Sequence, residues 1–335
     1  MKPEEKVAVQ VEGRTLTLTN LAKVLYPATG FTKAEVLAYY QEVAPVLLPH
    51  IADRPLTLKR YPDGVEGEAF FAKHAPAHRP DWIRTVRVDS RSSRARGENV
   101  TYLVVDDLAA LIWVANLAGL ELHAPMWRLP EASAVPEGPE REPDLLVFDL
   151  DPGLPAAITE CSQVALALRP LLQADGLEPL AKTSGGKGMQ LYARIDGLTA
   201  DAASDLAKSY AERLEHDQPK LITSRMTKAV RTGRVFIDWS QNNGKKTTVA
   251  PYSLRAREHP TVSTPVTWEE VAACAASPAP PASAHSGSAA SASARSPSSL
   301  YFTADDLPAR LAAYGDLFAP LLPRPHDHLT GWLPH

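Results

Sequence analysis

A mixed α/β (α+β) fold is predicted by three features of the sequence: short apolar strands closed by turn residues, helices at 3.6-residue spacing between them, and a C-terminal change of composition. The clearest strand is residues 144–153, where Leu145 to Phe148 lead into Asp149-Leu150-Asp151 and Pro152-Gly153 ends the run. Strand side chains alternate faces, so Asp149 and Asp151 point the same way. Two carboxylates one strand repeat apart can hold or bridge divalent ions, and oxygen ligands suit Mg²⁺ or Mn²⁺. The bland alternative is a turn whose aspartates cap a following helix.

The chain has 335 residues, is 44% hydrophobic and carries a net charge of −4. That is enough for one or two cores, with no global field pointing to nucleic acid or membrane. Charge is instead segregated. Residues 131–180 hold ten acids and two bases (net −8), and residues 181–258 hold fourteen bases and eight acids (net +6). A metal centre beside a polyanion-binding surface would have this distribution, as would two solvated faces. Cys161 and Cys274 are far apart and predict neither a disulfide framework nor a zinc site. No apolar signal region opens the chain and no run approaches a membrane span, so a cytoplasmic protein is expected.

Residues 8–19 alternate as strands around Glu12-Gly13, and Thr32-Lys33-Ala34-Glu35 is a capping box opening a helix through Val36, Tyr39, Tyr40 and Val43. Lys23 and Lys33 flank that helix start, a plausible phosphate seat or two ordinary surface lysines. Leu56 to Arg60 is a strand. In Phe70-Phe71-Ala72-Lys73, neighbouring rings diverge, leaving one free to stack on a base with Lys73 near phosphate, or both are core. Residues 91–96 look like a basic hairpin tip. A buried helix from Leu108 to Leu117 leads to Glu121-Leu122-His123, where a satisfied core histidine is the simplest reading.

Helices are expected over 157–174 and 200–215. Between them, Lys182-Thr183-Ser184-Gly185-Gly186-Lys187-Gly188 joins two strands and can offer N–H groups and ammonium charge to a triphosphate, though it lacks Walker A spacing and could be a flexible hairpin. Val235 to Trp239 is a strand whose alternation sets Asp238 apart from Ile237, giving a third carboxylate. Ser240, Gln241, Lys245 and Lys246 add donors nearby, and Arg255 and Arg257 follow. Residues 275–299 are almost entirely Ser, Ala and Pro and read as a disordered linker, followed by a helical tail over 300–335.

In this order the motifs resemble the polymerase domain of bacterial DNA ligase D, of the archaeo-eukaryotic primase superfamily. They are Asn20-Leu-Ala-Lys23, Lys59-Arg60 before Tyr61-Pro-Asp-Gly64, Phe70-Phe-Ala-Lys-His74, Glu121-Leu-His123, Asp149-Leu-Asp151, Lys182-Thr-Ser-Gly185 and Val235-Phe-Ile-Asp238. The resemblance makes residues 1–272 one primase-polymerase domain. It implies a two-lobed fold around an RRM-like antiparallel sheet and templated addition of nucleotides, preferably ribonucleotides, to a primer 3′-hydroxyl at gaps or double-strand-break ends. It implies two ions, Mn²⁺ preferred over Mg²⁺, on Asp149, Asp151 and Asp238. Lys59, His123, Ser184, Gln190, Gln241, Lys246 and Arg255 match nucleotide-contacting positions. Asn20, Lys23, Lys33, Phe70, Phe71 and Lys73 match DNA contacts, with the lysines on a 5′-phosphate. Implied partners are 5′-phosphorylated DNA, NTP or dNTP, Ku and an ATP-dependent DNA ligase. No ligase or nuclease domain fits beside it, so the stand-alone form is expected. One departure is Gln190, where the family usually has histidine. Gln190 can hydrogen-bond a phosphate without carrying charge, so lower nucleotide affinity or rate is expected, and a catalytically weak 5′-phosphate end-binding module is the alternative.

Overall fold

The computed structural model describes residues 6–88, 99–130, 142–277 and 300–323. The expected basic tip at 91–96, nearly all of the linker and the last residues of the tail lie outside them. The first part of the chain runs β1 (Lys6–Val11), β2 (Arg14–Thr19), β3 (Val24–Tyr26), β4 (Phe31–Thr32), α1 (Lys33–Ile51), β5 (Thr57–Arg60), β6 (Phe70–Ala72), β7 (Thr85–Val88), β8 (Val100–Leu103), α2 (Leu108–Asn116) and β9 (Gly119–Ala124). The second part runs β10 (Leu145–Pro152), α3 (Ile158–Ala174), β11 (Leu180–Thr183), β12 (Met189–Arg194), α4 (Ala200–Asp217), β13 (Ile222–Thr223) and β14 (Val235–Asp238). Then follow β15 (Thr248–Val249), β16 (Leu254–Ala256), β17 (Pro260–Val262), β18 (Pro265–Val266), α5 (Trp268–Ala275) and α6 (Leu307–Tyr314).

The fold is mixed α/β with two cores. In α1 the predicted capping box is present: Glu35 N–H donates to Thr32 Oγ1 (3.3 Å) and Thr32 N–H donates to Glu35 Oε2 (2.7 Å). Val36, Tyr40, Val43 and Leu47 of α1 then bury against α2 and the four-stranded sheet β15-β9-β5-β6. The second core lies under the six-stranded sheet β13-β14-β10-β12-β11-β18, where Leu146, Phe148 and Leu150 of β10 meet Cys161, Val164 and Leu168 of α3 and Ala207, Tyr210 and Ala211 of α4. Alternation along β10 therefore sends Val147, Asp149 and Asp151 to the opposite face. All pairings in this sheet are antiparallel except β13 with β14.

Two devices join the lobes. Arg54, at the end of α1, is 1% exposed and forks onto Asp144, just before β10 (2.8 and 2.5 Å), while Arg128 Nε reaches the same carboxylate at 3.1 Å. Burial opposes ionisation of Asp144, but the two guanidiniums outweigh it and hold its pKa low. The second device is the C-terminal segment. Leu300 sits in the second core, Ala304 and Leu307 in the first, and Phe318 and Leu321 pack with Met126, Val147 and Tyr192 at the junction. Asp316 accepts from Tyr252 (2.7 Å) and pairs with His50 (2.9 Å), and Arg310 forks onto Glu270 of α5 (2.6 and 2.6 Å). Residues 300–322 are thus packed into both lobes rather than appended to them.

Replacing Phe318, 1% exposed, by alanine is expected to lower unfolding free energy by about 3–5 kcal/mol in urea titrations. Unchanged stability would mean that the C-terminal segment is dispensable to the fold.

Candidate active site

One rung of the six-stranded sheet carries the predicted carboxylates. Asp149 of β10 stands directly opposite Asp238 of β14 on one side and Gln190 of β12 on the other, and Gln190 faces Lys182 of β11. The row Lys182–Gln190–Asp149–Asp238 therefore lies on one face, with Asp151 two residues along. None of these aspartates caps α3, whose first N–H at Ala157 is held by Glu160 (2.7 Å), so the helix-cap alternative fails. Asp149 Oδ1 accepts from Gln190 Nε2 (3.1 Å). Asp238 accepts on Oδ1 from Ser240 N–H (3.1 Å) and Oγ (2.5 Å) and on Oδ2 from Gln241 Nε2 (2.9 Å). Asp151 lies 3.6 Å from Arg231 Nη1.

Asp149 is packed deeply enough that burial pushes its pKa up to about 6; the Gln190 hydrogen bond opposes this and the charges of Asp238 and Asp151 add to it. Like charges facing each other across strands mark a site short of positive charge. The donor set, three carboxylates, fits hard divalent cations such as Mg²⁺ or Mn²⁺. Even so, among the described residues no three His, Cys, Asp or Glu side chains converge as a ready cage. Asp238 is taken up by Ser240 and Gln241, and Asp151 by Arg231, so any ion at these carboxylates would have to displace those contacts.

The first lobe presents a second rung. Lys59 of β5 stands opposite Glu121 of β9 and Phe71 of β6, and His123 lies two residues beyond Glu121. Glu121, 2% exposed, is the hub: His123 Nε2 is 2.9 Å from Oε2, Arg255 Nε 3.3 Å from Oε2, Lys59 Nζ 3.9 Å from Oε1, and Ala256 N–H donates to Oε1 (3.1 Å). Burial alone would raise its pKa; the His123 hydrogen bond and the charges of Arg255 and Lys59 bring it down to about 2. For His123, burial outweighs Glu121 and lowers the pKa, so it is a neutral imidazole whose Nε2–H donates to the carboxylate. Arg255 crosses to the other lobe, where Nη1 donates to Ser184 O (2.5 Å). Its Nε is buried with no hydrogen-bond partner among the described residues.

Ser184 Oγ accepts from the N–H groups of Gly186 and Gly188 (both 3.2 Å), which shapes the glycine loop. A Cβ on Gly185 (φ +65°) would lie 2.8 Å from Val262 C, and one on Gly188 2.1 Å from Leu150 O. The loop is therefore built against its neighbours and is not a loose hairpin. Lys246 donates to Ser240 Oγ, beside Asp238. Phe70 (47%) and Phe71 (66%) are both exposed, so the all-core reading fails, and Lys59 Nζ lies 5.4 Å from the Phe71 ring. Lys73 is exposed on the same edge. At the start of α1, Asn20 adopts φ 54°, Lys23 is exposed and pairs with Asp63 (3.0 Å), and Lys33 is 5% exposed with Nζ donating to Thr19 O (2.6 Å) and Oγ1 (3.1 Å). Gln241 faces Asp238 and Gln190 faces Asp149 and Lys182.

Sequence reasoning passed over Glu121 as a functional residue and read Lys182 as ammonium charge for a triphosphate, whereas Lys182 is fully buried with its amine on Gln190, Val249 and Ser263. The available signal was an ionisable side chain in an otherwise apolar strand. Arg231 was not singled out, because its approach to Asp151 depends on a turn contact with Gly153, where a Cβ would lie 1.9 Å from Arg231 O.

Residues 32–287 match the family model for the LigD primase-polymerase domain. The chain is 42% identical over 305 residues to the multifunctional non-homologous end joining protein LigD of Mycolicibacterium smegmatis, covering 91% of this chain and 36% of that protein. It is 47% identical over 260 residues to the LigD DNA repair protein of Mycobacterium tuberculosis, covering 76% and 33%. With the bifunctional LigD of Bacillus subtilis it shares 30% identity over 258 residues, covering 76% and 39%. The chain thus spans between a third and two fifths of the length of these curated relatives. The solved polymerase domain from Mycobacterium tuberculosis ligase D, in complex with DNA, superposes with a TM-score of 0.79 at 42% identity, covering 92% of this chain and 99% of that one.

Asp149 titrates near 6 when folded against a reference of 3.8. The folded chain holds the extra proton between those values, so this group's contribution to stability falls as pH rises through that window and stays low above it. Asp149→Asn is therefore expected to raise the melting temperature by about 2–4 °C at pH 7.5 in chelator, with the gain fading toward pH 4. A lower melting temperature at pH 7.5 would contradict the like-charge account.

Proposed function

The chain belongs to the LigD primase-polymerase family, and on that premise we propose that it is a template-directed nucleotidyltransferase. In this reading it adds nucleotides, preferably ribonucleotides, to a primer 3′-hydroxyl at gaps or broken ends during non-homologous end joining. The observation that carries this reading is the pairing of two rungs from two lobes, carboxylates on one and Lys59, His123 and Arg255 on the other, joined by Arg255. A nucleoside triphosphate and a primer terminus need that combination of positive and negative walls.

The primer 3′-oxygen attacks the α-phosphorus and pyrophosphate leaves. Lys59 and Arg255 meet the triphosphate charge from their places on the Glu121 carboxylate. Glu121 holds those cations and the neutral His123 in place before the nucleotide arrives, so orientation precedes chemistry. The Gly185–Gly188 turn brings Ser184 close to Arg255. Exposed Phe71, beside Lys59, is placed to stack on a base. Two divalent ions, Mn²⁺ preferred or Mg²⁺, held by Asp149, Asp151 and Asp238, would supply acidification of the 3′-hydroxyl and neutralisation of the phosphates. Lys23, Lys33 and Asn20 at the start of α1 form the seat for a 5′-phosphate across the gap. Ku and an ATP-dependent ligase are the partners such a polymerase would serve.

The test is primer extension on a short gap bearing a 5′-phosphate. Asp151→Ala is expected to reduce extension by at least about 100-fold while leaving binding to the gap within twofold. Lys23→Ala should remove the stimulation by the 5′-phosphate without changing extension on unphosphorylated gaps. Binding by the unaltered protein without addition under either metal would favour the end-binding module instead.

A further inference from the structure

Gln190 stands where the resemblance expects histidine, and its surroundings give it a job other than touching phosphate. It is 4% exposed, in the floor of the sheet. Its Oε1 accepts from Lys182 Nζ (2.6 Å) and Tyr192 OH (3.2 Å), and its Nε2 donates to Asp149 Oδ1 (3.1 Å). Lys182 is wholly buried, and its ammonium has three acceptors: Gln190 Oε1, Val249 O (3.0 Å) and Ser263 Oγ (2.6 Å). An ammonium can only donate, so the amide oxygen must face Lys182 and the amide NH₂ must face Asp149. The side chain cannot turn over without setting two donors against each other in a buried site. Register reinforces this, because Lys182, Gln190 and Asp149 are successive members of one rung.

We propose that Gln190, locked by Lys182, is a positioning residue that holds Oδ1 of Asp149 and leaves Oδ2 facing the ion site. The inference rests on the two-ion reading above and deepens it. A chain of hydrogen bonds runs from Lys182 through one polarised amide to a metal-ligating carboxylate, as the partners behind metal ligands commonly do. Histidine at this position could also accept from Lys182 on one ring nitrogen and donate to Asp149 from the other, so the exchange keeps the polarity of the chain.

Three variants test this: Gln190→Met, which keeps length and volume but offers no hydrogen bond, Gln190→His, and Lys182→Met, which puts an apolar chain in a buried position. Mn²⁺ affinity is measured without nucleotide by electron paramagnetic resonance titration, and KM for a ribonucleoside triphosphate at saturating Mn²⁺. Gln190→Met is expected to weaken Mn²⁺ binding by about tenfold with KM within twofold, Gln190→His to restore most of the affinity, and Lys182→Met to weaken it in the same direction. Circular dichroism melts identify any variant that fails to fold, and Lys182→Met then carries the test for Gln190→Met. Unchanged Mn²⁺ affinity with a raised KM would overturn the proposal and make Gln190 a phosphate contact. Mn²⁺ binding in the unaltered protein that Asp149→Ala does not reduce would overturn the two-ion reading along with it.

Discussion

Two aspartates directly opposite each other on adjacent strands, Asp149 and Asp238, are the constraint around which this molecule is built. Such a pair opposes pairing of the strands that carry it, and a third carboxylate two residues away adds to the repulsion. The sheet tolerates it because the other face of the same strand, Leu146, Phe148 and Leu150, is fully buried against α3 and α4. Each carboxylate is also given a protein partner: Gln190 for Asp149, Ser240 and Gln241 for Asp238, Arg231 for Asp151. Burial, reinforced by the charges of Asp238 and Asp151, keeps Asp149 hard to ionise, and its Gln190 hydrogen bond offsets this only partly. Incomplete neutralisation is what leaves the site open to a cation.

The opposing lobe solves the reverse problem. Lys59 and Arg255 would repel each other if left alone, and the buried carboxylate of Glu121 gathers both, with the neutral His123 donating to it. Glu121 is held ionised by the charges it gathers, so the cluster is self-consistent without bound phosphate. The two lobes must then stay in register to within hydrogen-bond tolerance. Arg54 and Arg128 on Asp144, the reach of Arg255 to Ser184, and the C-terminal segment across the junction all serve that end. Stability at the junction and electrostatic tension at the site are two sides of one arrangement.

Much of this was legible in the sequence because it is local. Period-two alternation placed Asp149 and Asp151 on one face, the same rule separated Asp238 from Ile237, and the Thr32–Glu35 pattern located the start of α1. Adjacent Phe70 and Phe71 were read as one ring free to stack or both in the core, and both prove exposed. What the sequence could not convey is register between distant segments. That Asp238 faces Asp149 rather than sitting one rung away, that Lys182 is buried beneath Gln190, and that Glu121 collects cations from β5 and β16 all depend on strand pairing across tens of residues. Gln190 was read as a phosphate contact for the same reason: its loop was visible, its rung was not. The tail after residue 300 was seen as an amphipathic helix, but its docking surfaces come from segments as far apart as His50, Met126, Tyr192, Tyr252 and Glu270.

The most direct test of the account is anomalous diffraction from the protein with Mn²⁺ and a non-hydrolysable ribonucleoside triphosphate. The account predicts manganese against Asp149 with Asp151 and Asp238 turned inward, away from Arg231 and Gln241. It predicts triphosphate oxygens on Lys59 and Arg255, so that one nucleotide spans both lobes. Manganese bound away from Asp149, or a nucleotide held by one lobe alone, would contradict it.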